Sequence, residues 1–155
     1  MNVLWIKAKE LLEKGDINLF IRYDEGSRSP RPVFISSSEI VEKLVFNDKC
    51  TGYLAVYLTR KDLVTGKKVG ISASYYALKS IVQLFAENQL KEEDLKIIGL
   101  SAEGKIIEFN AIDEIKQYLE NAPLPEKKDD EELIKQLDAM SVNERWQFWT
   151  DELSK

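Results

Sequence analysis

The chain reads as an α/β protein of three layers, built on a small, mostly parallel sheet and followed by a C-terminal helical tail. Three observations carry this reading. Apolar residues alternate repeatedly between helical and strand spacing along residues 2–119. Two strand-like runs flank one amphipathic helix with about twenty-odd residues between strand starts, the length of a βαβ unit. Pro123-Leu124-Pro125 then opens a charge run to Asp130, the composition of a linker. The expected organisation is a body over residues 1–122, a linker over 123–130 and a helical tail over 131–155.

Residues 2–14 place Leu4, Ala8, Leu11 and Leu12 on one helical face, and Gly15 ends that helix. Ile17, Leu19, Ile21 and Tyr23 alternate at strand period. Residues 24–32 read as a loop, and Val33 to Ile35 as a short strand. Ser36 to Ser38 can cap a helix running to about Leu44. Leu54, Tyr57 and Leu58 predict a further helix over residues 51–60. After the turn at Thr65-Gly66-Lys67, a strand is expected from Lys68 to Ala73. Residues 75–88 carry Ala77, Ile81, Leu84 and Phe85 as an amphipathic helix. Residues 95–100 and 105–109 read as strands, and residues 112–119 as the last helix of the body.

Composition narrows the chemistry. The chain has 155 residues, is 44% hydrophobic and carries a net charge of −5. It contains no histidine and one cysteine, Cys50. Histidine-based triads, His-ligated zinc and histidine acid–base catalysis are therefore excluded for this sequence. One cysteine permits no internal disulfide and no cluster held by four thiolates of this chain. No apolar run is long enough for a membrane span. The expected setting is soluble and cytoplasmic. Residues 123–155 carry nine acids and five bases, so most of the negative charge lies in the tail. The near-neutral body shows no basic stripe with interleaved aromatics, which argues against nucleic acid.

Four places could carry function. Ligands of open parallel sheets bind beyond the carboxyl ends of the strands. Ser72, Ser74, Tyr75 and Tyr76 at one strand end, with Ser101 and Gly104 at the next, form a candidate crevice for a flavin or nucleotide. The tyrosines would stack a ring, and the serines would hold a phosphate or ribitol oxygen. Ser74 can equally be a plain N-cap, because no phosphate-binding glycine pattern is present. Arg22, Ser27, Arg28 and Arg31 could cradle an anion, or form a solvated loop neutralised by Asp24 and Glu25. Cys50 precedes a predicted helix, which favours either a reactive thiolate or a small buried side chain.

The fourth place is the tail. Ser141 and Glu144 fit a capping box. Val142, Trp146, Trp149 and Leu153 then share one helical stripe. Trp146, Phe148 and Trp149 are candidate docking residues, for the body, for a second copy or for a partner protein.

Ordered short segments carry a family resemblance over nearly the whole chain. They are Asp24-Glu25-Gly26-Ser27, Arg31-Pro32-Val33-Phe34, Leu54-Ala55-Val56-Tyr57-Leu58, Ile81-Val82-Gln83-Leu84, Glu87-Asn88-Gln89-Leu90 and Ile97-Ile98-Gly99-Leu100. In this order they resemble the N-terminal domain of dicluster ferredoxin-like iron–sulfur proteins. Those proteins are distantly akin to the beta subunit of deazaflavin-coenzyme hydrogenases and dehydrogenases. Glu144-Arg145-Trp146-Gln147-Phe148-Trp149 and Glu152-Leu153-Ser154-Lys155 are similar to the segment before the family's first cluster-binding cysteines.

The departures concern thiols. Tyr75, Tyr76 and Ala77 stand where the family has a Gly-Cys-Asp turn, and Ala102 stands at a second family cysteine. Cys50 alone matches. The resemblance thus implies a domain related to electron transfer that has lost its thiol chemistry and binds no cluster itself. Its expected role is a non-catalytic accessory or docking domain for a redox protein or ferredoxin-like module. A flavin- or nucleotide-binding redox domain and a homo-oligomeric interaction protein are the alternatives, the last with a homodimer as its simplest form.

Overall fold

The computed structural model describes residues 3–25, 30–38, 44–45, 50, 53–101, 105–124 and 131–154. The chain divides into two compact units, Met1–Leu124 and Pro125–Lys155. The first is an α/β fold with helices on both faces of one sheet.

Helix α1 (Val3–Glu13) buries Leu4, Ala8 and Leu11 along one face. Gly15 ends it with φ of +73°, a left-handed turn that glycine adopts without steric penalty. Strand β1 (Leu19–Asp24) follows, buried on both faces from Leu19 to Tyr23. Strand β2 (Arg31–Ile35) returns antiparallel to it. Strand β3 is only Leu44–Val45 and also pairs antiparallel with β1. A 3-10 helix (Leu54–Thr59) and the single turn α2 (Lys61–Val64) lead to β4 (Val69–Ala73), which lies parallel to β1. Helix α3 (Tyr75–Ala86) crosses to β5 (Leu95–Leu100), parallel to β4. Strand β6 (Ile106–Phe109) turns back antiparallel, and α4 (Ile112–Asn121) closes the unit.

The strand order is β2-β1-β4-β5-β6, with β3 beside β1. The three central strands are parallel, and every flanking strand is antiparallel. Central strands covered on both faces need apolar side chains on both, hence their continuous burial. One face packs Phe20, Ile35, Ile98 and Leu100 against Leu4, Ala8 and Leu11 of α1. The other packs Leu19, Ile21, Ile71 and Ile97 against Leu78 and Ile81 of α3, Ile115 of α4 and Leu54 and Leu58 of the 3-10 helix. Ile81 and Ile115 are fully buried, and burying such a side chain contributes about 1.5–3 kcal/mol. Just past the C-cap of α3, Asn88 has a φ of 56°, a left-handed position that asparagine tolerates.

Several sequence expectations change. The helix expected to reach Leu44 does not: Leu44 is in a strand, and residues 39–43 lie outside the described ones. The helix expected over 51–60 is present at 54–59, as a 3-10 helix. Its apolar stripe, Leu54, Ala55 and Leu58, is buried by the sheet face, so tertiary packing and not propensity sets the turn type. Asp24, Arg31 and Pro32 belong to a β-hairpin ladder and not to a loop.

The second unit holds α5 (Glu131–Ala139) and α6 (Val142–Leu153). The helical tail expected over 131–155 is formed by these two helices, which meet at Met140-Ser141. Ser141 caps α6 through a capping box: the Glu144 N–H donates to Ser141 Oγ at 3.4 Å, and the Ser141 N–H donates to Glu144 Oε2 at 2.7 Å. These hydrogen bonds hold the Glu144 carboxyl below the usual carboxylate range.

Candidate functional site

The carboxyl ends of β1, β4 and β5 define the place where an open α/β sheet holds ligands. Here that place is partly occupied by the chain itself. Strand β4 pairs with β1 at Leu19, Phe20 and Ile21 only, and β3 pairs with Tyr23 and Asp24. Strand β2 holds the other edge of β1 from Phe20 to Asp24. Strand β3 therefore lies on the β4 side and parts β1 from β4 at their carboxyl ends. Arg22 sits at the fork.

Arg22 is fully buried. Its Nε and Nη2 both donate to the Val45 carbonyl, at 3.0 and 2.9 Å. The Cys50 thiol lies against the same carbonyl, with Sγ 3.8 Å from it, and is half-buried. Ser72 of β4 is also buried. A cation in the central strand of a sheet must be hydrogen-bonded to be tolerated. The two-residue strand β3 supplies the acceptor.

Burial sets the titration of this cluster. Desolvation lowers the Arg22 pKa to about 10, against smaller opposing effects of Cys50 and Tyr23. Burial also pushes Tyr23 up from 10.0 to about 12, helped by Cys50 and Tyr57 and opposed by Arg22. Folded Tyr23 keeps a proton that the unfolded chain releases above pH 10.0, so its contribution to stability is lost as pH rises through about 12. Tyr23→Phe removes that contribution. The variant should gain stability relative to the parent as pH rises from about 10 toward about 12, measured by urea unfolding at stepped pH. Parallel curves for the two proteins would contradict this assignment.

The crevice residues named from sequence are placed as follows. Ser74 occupies the N-cap position of α3 and is exposed. Its carbonyl accepts the Leu78 N–H at 2.9 Å, while its side chain makes no capping hydrogen bond. Tyr76 is 50% exposed beside it. Tyr75 is buried, with its hydroxyl 3.5 Å from the Leu119 carbonyl of α4 and its ring under the Lys79 ammonium. Ser101 closes the β5–β6 hairpin: its N–H donates to the Lys105 carbonyl at 2.9 Å and its Oγ accepts the Lys105 N–H at 3.1 Å. Gly104 lies outside the described residues. Ser74 and Tyr76 thus share the exposed first turn of α3, whereas Ser72 and Tyr75 are packed inside.

Arg22 and Arg31 do not converge. Arg31 is largely exposed, and its Nη2 lies 3.5 Å from Asp24 Oδ2. Ser27 and Arg28 lie outside the described residues. The fork at Arg22 is what sequence reading missed. Its signal was present: an arginine between Ile21 and Tyr23 interrupts an apolar strand and requires a buried acceptor.

In the second unit, the α6 stripe is exposed. Val142 is 66%, Trp146 70%, Trp149 46% and Leu153 87% accessible. Phe148 is half-buried and packs edge-on to Trp149, with ring centroids 5.1 Å apart. Among the described residues, no helix is long and apolar enough to cross a membrane. No group of three His, Cys, Asp or Glu residues is gathered for a metal ion among them. No protein-family model and no curated protein sequence matches the chain.

Proposed function

We propose that this protein is a docking domain of an electron-transfer assembly, with α6 as the surface presented to a redox partner. The observation that supports it is the α6 stripe: two tryptophans and two aliphatic side chains exposed on one face of a helix whose start is set by its own capping box. Tryptophan is the residue type most enriched among side chains that dominate binding energy. The redox character of the partner rests on the sequence resemblance, and the cytoplasmic setting on composition. A two-cluster ferredoxin is the probe. It should bind the intact chain in calorimetry, and Trp146→Ala with Trp149→Ala should weaken that binding by at least about thirtyfold, the effect of one strong anchor. Absence of binding to the intact chain, or equal binding by the variant, overturns the proposal.

One observation favours a flavin or nucleotide as a second reading: the exposed Ser74 hydroxyl and Tyr76 ring stand together at the N-terminus of α3, where a phosphate is favoured. Added flavin mononucleotide should then co-elute with the protein in gel filtration, and Ser74→Ala with Tyr76→Ala should abolish co-elution. Free flavin eluting separately from the intact chain removes this reading.

A further inference from the structure

The second unit has little core of its own. Helices α5 and α6 are 9 and 12 residues long. A lone helix shorter than about 12–15 residues is marginal in water. Among the described residues of α5 and α6 none is fully buried, and Leu133, Leu137, Met140 and Phe148 are half-buried. A unit this small gains stability by association. The face it leaves exposed is the α6 stripe of Val142, Trp146, Trp149 and Leu153.

That stripe reads the same from either end. Its spacings are four, three and four residues, and its residue types run aliphatic, tryptophan, tryptophan, aliphatic. Laid antiparallel on a copy of itself, it sets Val142 against Leu153 and Trp146 against Trp149, each twice. Such a surface is self-complementary about a two-fold axis. The described carboxylates of α6 stay off the seam. By helical spacing Glu144 and Asp151 fall on the opposite side. There Glu144 is taken by the capping box, and Asp151 Oδ1 accepts the Gln147 side-chain N–H at 2.8 Å. On one shoulder of the stripe stand Asn143 and Thr150, both uncharged, and the Thr150 hydroxyl donates to the Trp146 carbonyl at 2.8 Å. On the other shoulder, Arg145 Nε donates to the Met140 carbonyl at 3.1 Å. The four apolar side chains expose on the order of 500 Å² in one copy, taking about 200 Å² for a whole tryptophan. Two copies would cover roughly 1,000 Å², where specific interfaces begin.

We infer that α6 pairs antiparallel with the α6 of a second copy, about a two-fold axis between Trp146 and Trp149, so that the free protein is a dimer with its stripe covered. The antiparallel arrangement also sets each helix N-terminus beside the other's C-terminus, which the opposed dipoles favour. Parallel pairing would align the dipoles and set Val142 against Val142. The pairing needs only the stripe. Its consequence for docking rests on the function proposed above: a redox partner reaches the tryptophans only by displacing one copy.

Sedimentation velocity of the full chain over a concentration series should show a dimer with a dissociation constant of about 1–100 μM, as suits a small interface. Trp146→Ala with Trp149→Ala should raise that constant at least about a hundredfold, since both copies lose both rings. Asp151→Ala, on the far side of α6, should leave it within about twofold. Cysteines placed in a Cys50→Ser background read the register. Val142→Cys with Leu153→Cys should form a disulfide between copies under mild oxidation. Val142→Cys alone should not, because antiparallel pairing holds the two residues about 16 Å apart along the seam. This second test keeps both tryptophans, so it does not depend on how the alanine variant folds. A monomer up to about 0.5 mM, a dimer indifferent to the tryptophan pair, or ready cross-linking through Val142→Cys alone would overturn the inference. A two-cluster ferredoxin should convert the dimer into a mixed complex. A monomeric chain that binds ferredoxin removes the pairing and leaves the docking role standing. A dimer that ignores ferredoxin removes the docking role and leaves the pairing.

Discussion

Phe20→Ala is expected to lower the unfolding free energy by about 3–5 kcal/mol, the largest single loss in this protein. The ring is fully buried in the layer between the sheet and α1, among Leu4, Ala8, Ile17 and Ile98. Removing it leaves a cavity that α1 and the sheet cannot close without moving against each other. The neighbouring strand has made room for that ring. Gly70 pairs with Phe20, and a Cβ built at Gly70 would lie 2.6 Å from Phe20 Cδ2 and 2.6 Å from Ile17 Cδ1. Gly70→Ala alone should therefore cost about 1–3 kcal/mol by overpacking. In the double variant, the methyl group introduced at position 70 enters space that the Phe20 ring has vacated. The two losses should then sum to less than their separate values, by an interaction of at least about 1 kcal/mol. Urea unfolding of the four proteins measures the cycle. Strict additivity would show that Gly70 and Phe20 do not share one packing space.

Arg22→Ala should cost about 3 kcal/mol, because it removes two hydrogen bonds from a charged donor and leaves the Val45 carbonyl short of its principal partner. It also frees β3 from β1 at the fork, so amide exchange of Leu44 and Val45 should accelerate more than that of Val69–Ala73. Arg22→Lys keeps the charge but replaces a fork-shaped donor by a point donor, and should lose less. The same pair of variants separates structure from ligand binding. If Arg22 serves only the Val45 carbonyl, added phosphate should raise the melting temperature of parent and variants alike. If Arg22 serves an anion, phosphate should stabilise the parent and not Arg22→Ala.

The fold was largely legible because burial imposes periodicity. Leu4, Ala8 and Leu11 sit one helical turn apart and are buried together against one sheet face. Residues 69–73 and 95–100 are short apolar runs, and they became parallel strands joined by α3. The capping box at Ser141 was readable from two residues, because that interaction is local.

The candidate site was less legible, because its decisive contacts join residues far apart in sequence. Nothing near Leu44 announces a strand two residues long. It exists because β1 has an open edge beyond Ile21 and because the buried Arg22 needs an acceptor. Tyr75 and Tyr76 are adjacent, yet one is packed toward α4 and the other half exposed. The helical rotation of α3 against the sheet makes that division, not the residue type.

The sequence by itself therefore determined the α/β class, the positions of most elements, the absence of histidine and internal disulfide chemistry, and the acidic, tryptophan-bearing tail. Local periodicity and composition suffice for each. Only the tertiary structure decided that a two-residue strand pairs with the end of β1, which arginine is buried and which tyrosine reaches solvent. Those outcomes depend on register between distant strands, and register is fixed by the shared core rather than by neighbours in the chain.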